Sequence, residues 1–226
     1  NMRGTIRDRD TVLHLAANVL VGTMTYPLVL NSDSSVEQAF NMHKFWNWIS
    51  LNVTPKNADI TGLTTALGTN ATTIKSHNQQ RLYNAKSNVW SGNLTTLQLG
   101  EMYKIFLKKD MDVYVPGKRC NASETPVTLH PRWNWLGVLP TFIMSLDEAF
   151  ADLCPNDGDI VKSQSSFAIR ENGMWFGTLT SIVPGCGYIY FSNATADRTF
   201  RYPGTSSVMG ILKAPKRILA AENHFQ

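Results

Sequence analysis

The chain of 226 residues is 43% hydrophobic and 17% charged, with a formal net charge of +4. That balance belongs to a globular protein and excludes a disordered chain. The scattered Lys and Arg form no footprint for nucleic acid. The longest apolar stretch, around Val12 to Gly22, is interrupted by His14 and Asn18 and falls short of the roughly 20 residues that span a bilayer.

Residues 1–40 precede any repeated pattern. Thr11 to Val21 and Pro27-Leu28-Val29-Leu30 read as strands, rich in Val and Leu. Bulky residues at two-residue spacing then make Trp46, Trp48, Leu51 and Val53 a strand with both indoles on one face. Asp59 is placed to cap a short helix with Ile60, Leu63 and Leu67 inward. Strands follow around Lys75-Ser76, Trp90, Tyr103–Leu107 and Val113–Val115.

The same order then returns. Trp133-Asn134-Trp135 answers Trp46-Asn47-Trp48, Val161-Lys162-Ser163 answers Ile74-Lys75-Ser76, and Trp175-x-Gly177 answers Trp90-x-Gly92. Gly185 with Tyr188 answers Gly100 with Tyr103, all at offsets of 85–87 residues. Such self-similarity marks an internal repeat. Ser145-Leu146-Asp147-Glu148 is a capping box ahead of Leu146, Ala149, Phe150 and Leu153 at helical spacing. Asn172-Gly173 between alternating runs predicts a tight hairpin.

The fold expected is mainly β with α+β elements: two tandem homologous β-rich repeats, each with one short helix, plus extra N-terminal strands. The divisions are 1–40 (N-terminal strands, or the end of a preceding domain), 41–118 (repeat 1), 119–205 (repeat 2) and 206–226 (tail or linker). The basic stretch Lys213 to Arg217 lies in that tail. Trp46, Trp48, Trp90, Trp133, Trp135 and Trp175 are expected in the core, since a unit of this size needs large residues to fill it.

Little points to chemistry. His14, His43, His77, His130 and His224 lack zinc-type spacing. Gly185-Cys186-Gly187 invites a nucleophile reading, but Glu101 at the matching position argues for turn geometry instead. Asn156-Asp157-Gly158-Asp159 resembles a calcium loop without its length or terminal Glu, so a helix-stopping turn is expected. Cys120, Cys154 and Cys186 are odd in number; three small buried hydrophobes are expected, with one bridge plus a free thiol as the alternative. No catalytic residue, cofactor or metal is expected.

The ordered set over residues 40–205 resembles a repeat of large exported proteins of Bacteroidetes bacteria. Copy one departs from its usual Gly-x-Gly-Tyr turn, having Gly100-Glu101-Met102-Tyr103. The resemblance implies an extracellular or cell-surface location, with export signal and anchor outside this chain. It also implies a non-catalytic structural or adhesive module, flanked by other domains of a longer chain. Expected partners are a host protein or glycan, and not nucleic acid. The alternative is a carbohydrate-binding module attached to a larger secreted enzyme. Aromatics without an aromatic counterpart are the candidate ligand contacts: Phe176, Tyr190, Tyr26 and Tyr83.

Overall fold

The computed structural model describes residues 2–8, 11–17 and 35–204. β1 (Met2–Asp8) pairs antiparallel with β2 (Thr11–Ala17). A first unit follows: β3 (Ser35–Met42), β4 (Phe45–Ser50), β5 (Val53–Pro55), α1 (Thr61–Leu67), β6 (Ala71–Lys75), β7 (Gln80–Asn84), β8 (Val89–Gly92), β9 (Met102–Leu107) and β10 (Met111–Arg119). The second unit holds β11 (Val127–Leu129), β12 (Arg132–Leu136), β13 (Met144–Ser145), α2 (Leu146–Ala149), β14 (Ile160–Lys162), β15 (Phe167–Glu171), β16 (Met174–Gly177), β17 (Ser181–Ile182), β18 (Tyr188–Ser192) and β19 (Arg198–Phe200).

The fold is mainly β, with several antiparallel sheets and two short helices. Five strands of the first unit run in the order β4-β9-β6-β7-β8, and five of the second in the order β12-β18-β14-β15-β16. These orders match strand for strand. β3 pairs along β10, and Phe40 and Met42 enter the first core, so the first unit reaches back to residue 35 rather than 41. Residues beyond Ala17 in the expected Thr11–Val21 strand, the Pro27–Leu30 strand and the 206–226 tail lie outside the described residues. No helix among the described residues is long and apolar enough to cross a membrane.

Each five-stranded sheet turns one face into a core that also holds the apolar side of a helix. Tyr103, Ile105 and Leu107 of β9 alternate inward into the core that holds Leu63 and Leu67; Tyr188 and Tyr190 of β18 enter the second core, where Tyr190 packs on Phe150. Ser145 caps α2 as its sequence predicts, accepting the Glu148 amide at 3.2 Å. The helix ends at Ala149, shorter than the run to Leu153 suggests, although Leu153 still reaches the core. Asp59 accepts the Thr61 amide at 2.8 Å, and those bonds hold its carboxyl below the usual range. Asn172 and Gly173 both have positive φ (48° and 72°), the turn that matches strand twist.

The asparagine of each Trp-Asn-Trp run holds the entry to its strand. Asn47 accepts the His43 amide and donates to the His43 and Phe45 carbonyls; Asn134 does the same with His130 and Arg132. The bridged residues Phe45 and Arg132 have φ of 80° and 73°, a strained region for a side-chain-bearing residue. Three bonds per asparagine offset that strain.

The units join reciprocally. The Ser50 amide donates to the Gly185 carbonyl at 2.9 Å, and the Gly137 amide donates to the Gly100 carbonyl at 2.8 Å. Ile49 bridges Cys186, and Leu136 bridges Glu101. Since Ser50 corresponds to Gly137 and Gly100 to Gly185, this is a self-complementary contact of the kind found across a two-fold axis. Near that axis corresponding residues Met102 and Gly187 meet. A Cβ on Gly187 would lie 2.2 Å from Met102 Cγ and 3.0 Å from the Ile49 carbonyl. Gly187 leaves the space that the Met102 side chain fills.

Gly187→Ala is therefore expected to destabilise by about 1–3 kcal/mol. Most of that loss should disappear when Met102→Gly is added, as a double-mutant cycle in urea would show. Additive losses would contradict the shared space. A second expectation concerns alkaline pH. Burial pushes the phenols of Tyr103, Tyr188, Tyr190 and Tyr202 upward, Tyr188 to about 12. The folded state thus holds these protons more tightly than the unfolded chain, whose tyrosines titrate near about 10. Their contribution is intact below that pH and is lost as pH rises toward 12. The melting temperature should fall across this window, and a flat profile to pH 12 would contradict it.

Candidate functional face

Six tryptophans read from sequence as core residues divide into three environments. Trp90 and Trp175 are half-buried and pack against the two cores. Trp48 and Trp135 are half-buried at the seam between the units. Trp46 and Trp133 are exposed, at 41% and 42%, and the core expectation is wrong for them.

Register explains the outward turn. Trp46 pairs across from Phe106 and Trp48 from Lys104; Phe106 then faces Thr73, and Lys104 faces Lys75. Tyr103, Ile105 and Leu107 occupy the inner face of β9, so Lys104 and Phe106 must point out. The two tryptophans share that outer parity. In the second unit Trp133 faces Phe191 and Trp135 faces Ile189, while Lys162 lies across from Ile189 and Phe167. Ile169 faces Phe176 farther along the same side.

The same cluster stands on both outer faces. Trp46 meets Phe106 edge-on at 5.2 Å with Lys75 over the indole at 5.8 Å. Trp133 meets Phe191 edge-on at 4.9 Å with Lys162 over the indole at 4.9 Å. Leu82 is 42% exposed, Phe176 45% and Phe167 50%, extending the apolar surface on each sheet. The two faces meet at Lys104, whose ammonium lies 4.2 Å from Trp48 and 4.3 Å from Trp135. His77 stacks on Trp135 at 5.9 Å, while Gln164 at the corresponding position accepts from the Trp48 amide and donates to the Trp46 carbonyl. The adjoining cleft, lined by His77, Glu101, His130 and Trp135, holds about 160 Å³. That is small for an organic ligand pocket, which typically holds about 300–1,000 Å³. The broad aromatic face, with its matching clusters on both sheets, is the candidate site.

The four ligand-contact candidates fare differently. Phe176 is exposed on this face. Tyr190 is fully buried and is not a ligand contact: it donates to Asp159 at 2.7 Å and packs on Phe150. Tyr83 is half-buried on the inner parity of β7, donating to Asn88 beside Trp90. Tyr26 lies outside the described residues.

Other polar groups serve the fold. Asp159 is buried and accepts from the Asn156 and Asn193 amides, Tyr190 and Arg198, at 2.6–2.9 Å. Three of these donors reach Oδ2, and the Asn193 amide reaches Oδ1. Asp157 accepts the Asn172 and Gly173 amides, tying the acidic loop to the hairpin turn. Among the described residues no three His, Cys, Asp or Glu side chains gather as a metal-holding group. His130 lies 2.9 Å from Asp197, and its counterpart His43 lies 3.9 Å from Asp110. The 87-residue match of these histidines went unnoticed in the sequence. Both pairs are exposed, and exposed ion pairs contribute little.

All three cysteines are free thiols. Cys154 and Cys186 reach the surface, contrary to the buried expectation. Cys154 sits at φ 50° after α2, and Cys186 lies in the seam turn. Packing around the Cys186 sulfur pushes its thiol upward in pKa, away from a reactive thiolate.

Comparison with family models, curated proteins and solved structures finds no match.

Exposure should separate the tryptophans in stability measurements. Trp175→Ala is expected to cost about 3 kcal/mol or more, since it packs on Phe150. Trp46→Ala and Trp133→Ala should each cost about 1 kcal/mol or less, near the range of surface changes. Equal losses at Trp46 and Trp175 in chemical denaturation would contradict the placement.

Proposed function

We propose that the chain is a non-catalytic adhesive module of an exported bacterial surface protein, built from one duplicated sequence, and that it binds through the outer faces of its two sheets. The observation carrying this reading is the Trp-Phe-Lys cluster present on both faces. A tryptophan retained at corresponding positions and left 41–42% exposed contributes little to the core. Contiguous apolar surface of this sort marks interaction sites in soluble proteins.

The exported location rests on the resemblance to Bacteroidetes surface repeats. The non-catalytic part is supported by what the polar groups do: Asp157, Asp159 and the two strand-entry asparagines spend their hydrogen bonds on backbone and core. The exposed indoles also favour the second reading, a carbohydrate-binding module attached to a secreted enzyme. Sugars stack their apolar C–H faces on aromatic rings, whose faces carry negative charge.

The test presents the intact chain to arrayed polysaccharides and extracellular-matrix proteins. Trp46→Ser with Trp133→Ser is expected to abolish any binding while leaving the melting temperature within a few degrees. Binding that survives the double substitution would place the site elsewhere and defeat this reading.

A further inference from the structure

Among the described residues, three ammonium groups on the outer faces have no neutralising partner. Lys75, Lys104 and Lys162 each lie over an indole, and none is paired with a carboxylate among the described residues. Lys75 and Lys104 are also directly opposed in register on β6 and β9. Like charges so placed repel and destabilise a sheet. Partial desolvation, and then the Lys75 charge, lower the pKa of Lys104, as that crowding requires. An anion bound between the two lysines would turn this repulsion into attraction. Cation–π contact with Trp48 and Trp135 keeps the Lys104 ammonium at the seam meanwhile.

We propose that the face binds an acidic polysaccharide, with sugar rings stacked on Trp46 and Trp133 and carboxylate or sulfate groups held by Lys75, Lys104 and Lys162. This rests on the outer faces being the binding surface, and it names the ligand class. Charge complementarity selects an anion, and the exposed rings select a ligand with flat apolar C–H faces. Arginine is absent from the paired outer positions of both sheets, whereas phosphate recognition favours its bidentate fork. An extended acidic peptide would bond along a free strand edge rather than lie on a sheet face.

The experiment measures binding of the intact chain to polygalacturonate and chondroitin sulfate, each beside its neutralised form, methyl-esterified or desulfated. At least one acidic polymer should bind, tenfold or more tightly than its neutral form, and weaken as salt is raised. Lys75→Gln with Lys162→Gln should lose tenfold or more in affinity while the melting temperature holds or rises, because Lys75→Gln removes the repulsion and Lys104 keeps its two indole contacts. A lysine with a purely structural role would lower that temperature instead. Equal affinity for acidic and neutral forms, or full affinity in the lysine variant, would overturn the acidic class and leave the binding face standing. Tighter binding of single-stranded DNA or of a matrix protein would overturn it in favour of that partner. Failure to bind any polysaccharide, acidic or neutral, would overturn this proposal; a matrix protein bound through Trp46 and Trp133 would still support the face.

Discussion

The arrangement of the two sheets depends on the reciprocal joint between the units. Each first strand, β4 or β12, would otherwise leave an unpaired edge. Ser50 and Gly137 instead donate to Gly185 and Gly100, and the Trp48 carbonyl accepts from Gly187 at 3.0 Å. Covering these edges blunts a template for unwanted pairing. It also brings Trp48, Trp135 and Lys104 together, so that two separate sheet faces meet. The contact is self-complementary, and the closest approach on its axis has space for one side chain, supplied by Met102 opposite Gly187.

Retention at corresponding positions does not by itself mean burial. Tyr103 and Tyr188 are buried, and their hydroxyls accept the Gln98 and Val183 amides in matching fashion. Trp46 and Trp133 match equally well and face outward. The units diverge most inside the second core, where Asp159, Tyr190 and Arg198 stand at positions occupied in the first unit by Thr72, Ile105 and Met111. Asp159 and Arg198 form a hydrogen-bonded ion pair there, and Tyr190 donates to the same carboxylate. Tyr190 is therefore a core residue distinctive of one unit, not a surface residue released from packing.

Local rules made much of the fold legible. The Asn172-Gly173 hairpin, the Ser145 cap and the alternation along β9 and β18 follow from short-range geometry. Facing was harder, because strand period tells which residues share a side but not which side is covered. Size assigned the first-strand tryptophans to the core. Lysine at matching parity, in Lys75, Lys104 and Lys162, was the signal for the opposite assignment, but it requires cross-strand register to use. The strand-entry role of Asn47 and Asn134 was hidden similarly, since it depends on backbone at positive φ. Lack of an aromatic counterpart singles out both Phe176 and Tyr190, yet Phe176 is exposed and Tyr190 is buried, so that criterion does not report facing.

Whether the aromatic clusters face solvent is the central structural question for the proposed binding surface. Hydroxyl-radical footprinting of the free, native chain, read by mass spectrometry, addresses it residue by residue. The account predicts rapid oxidation of Trp46, Trp133 and Phe176, with Tyr190, Phe150 and Tyr202 strongly protected. Trp46 and Trp133 labelled as slowly as Phe150 would put them in the core and contradict it.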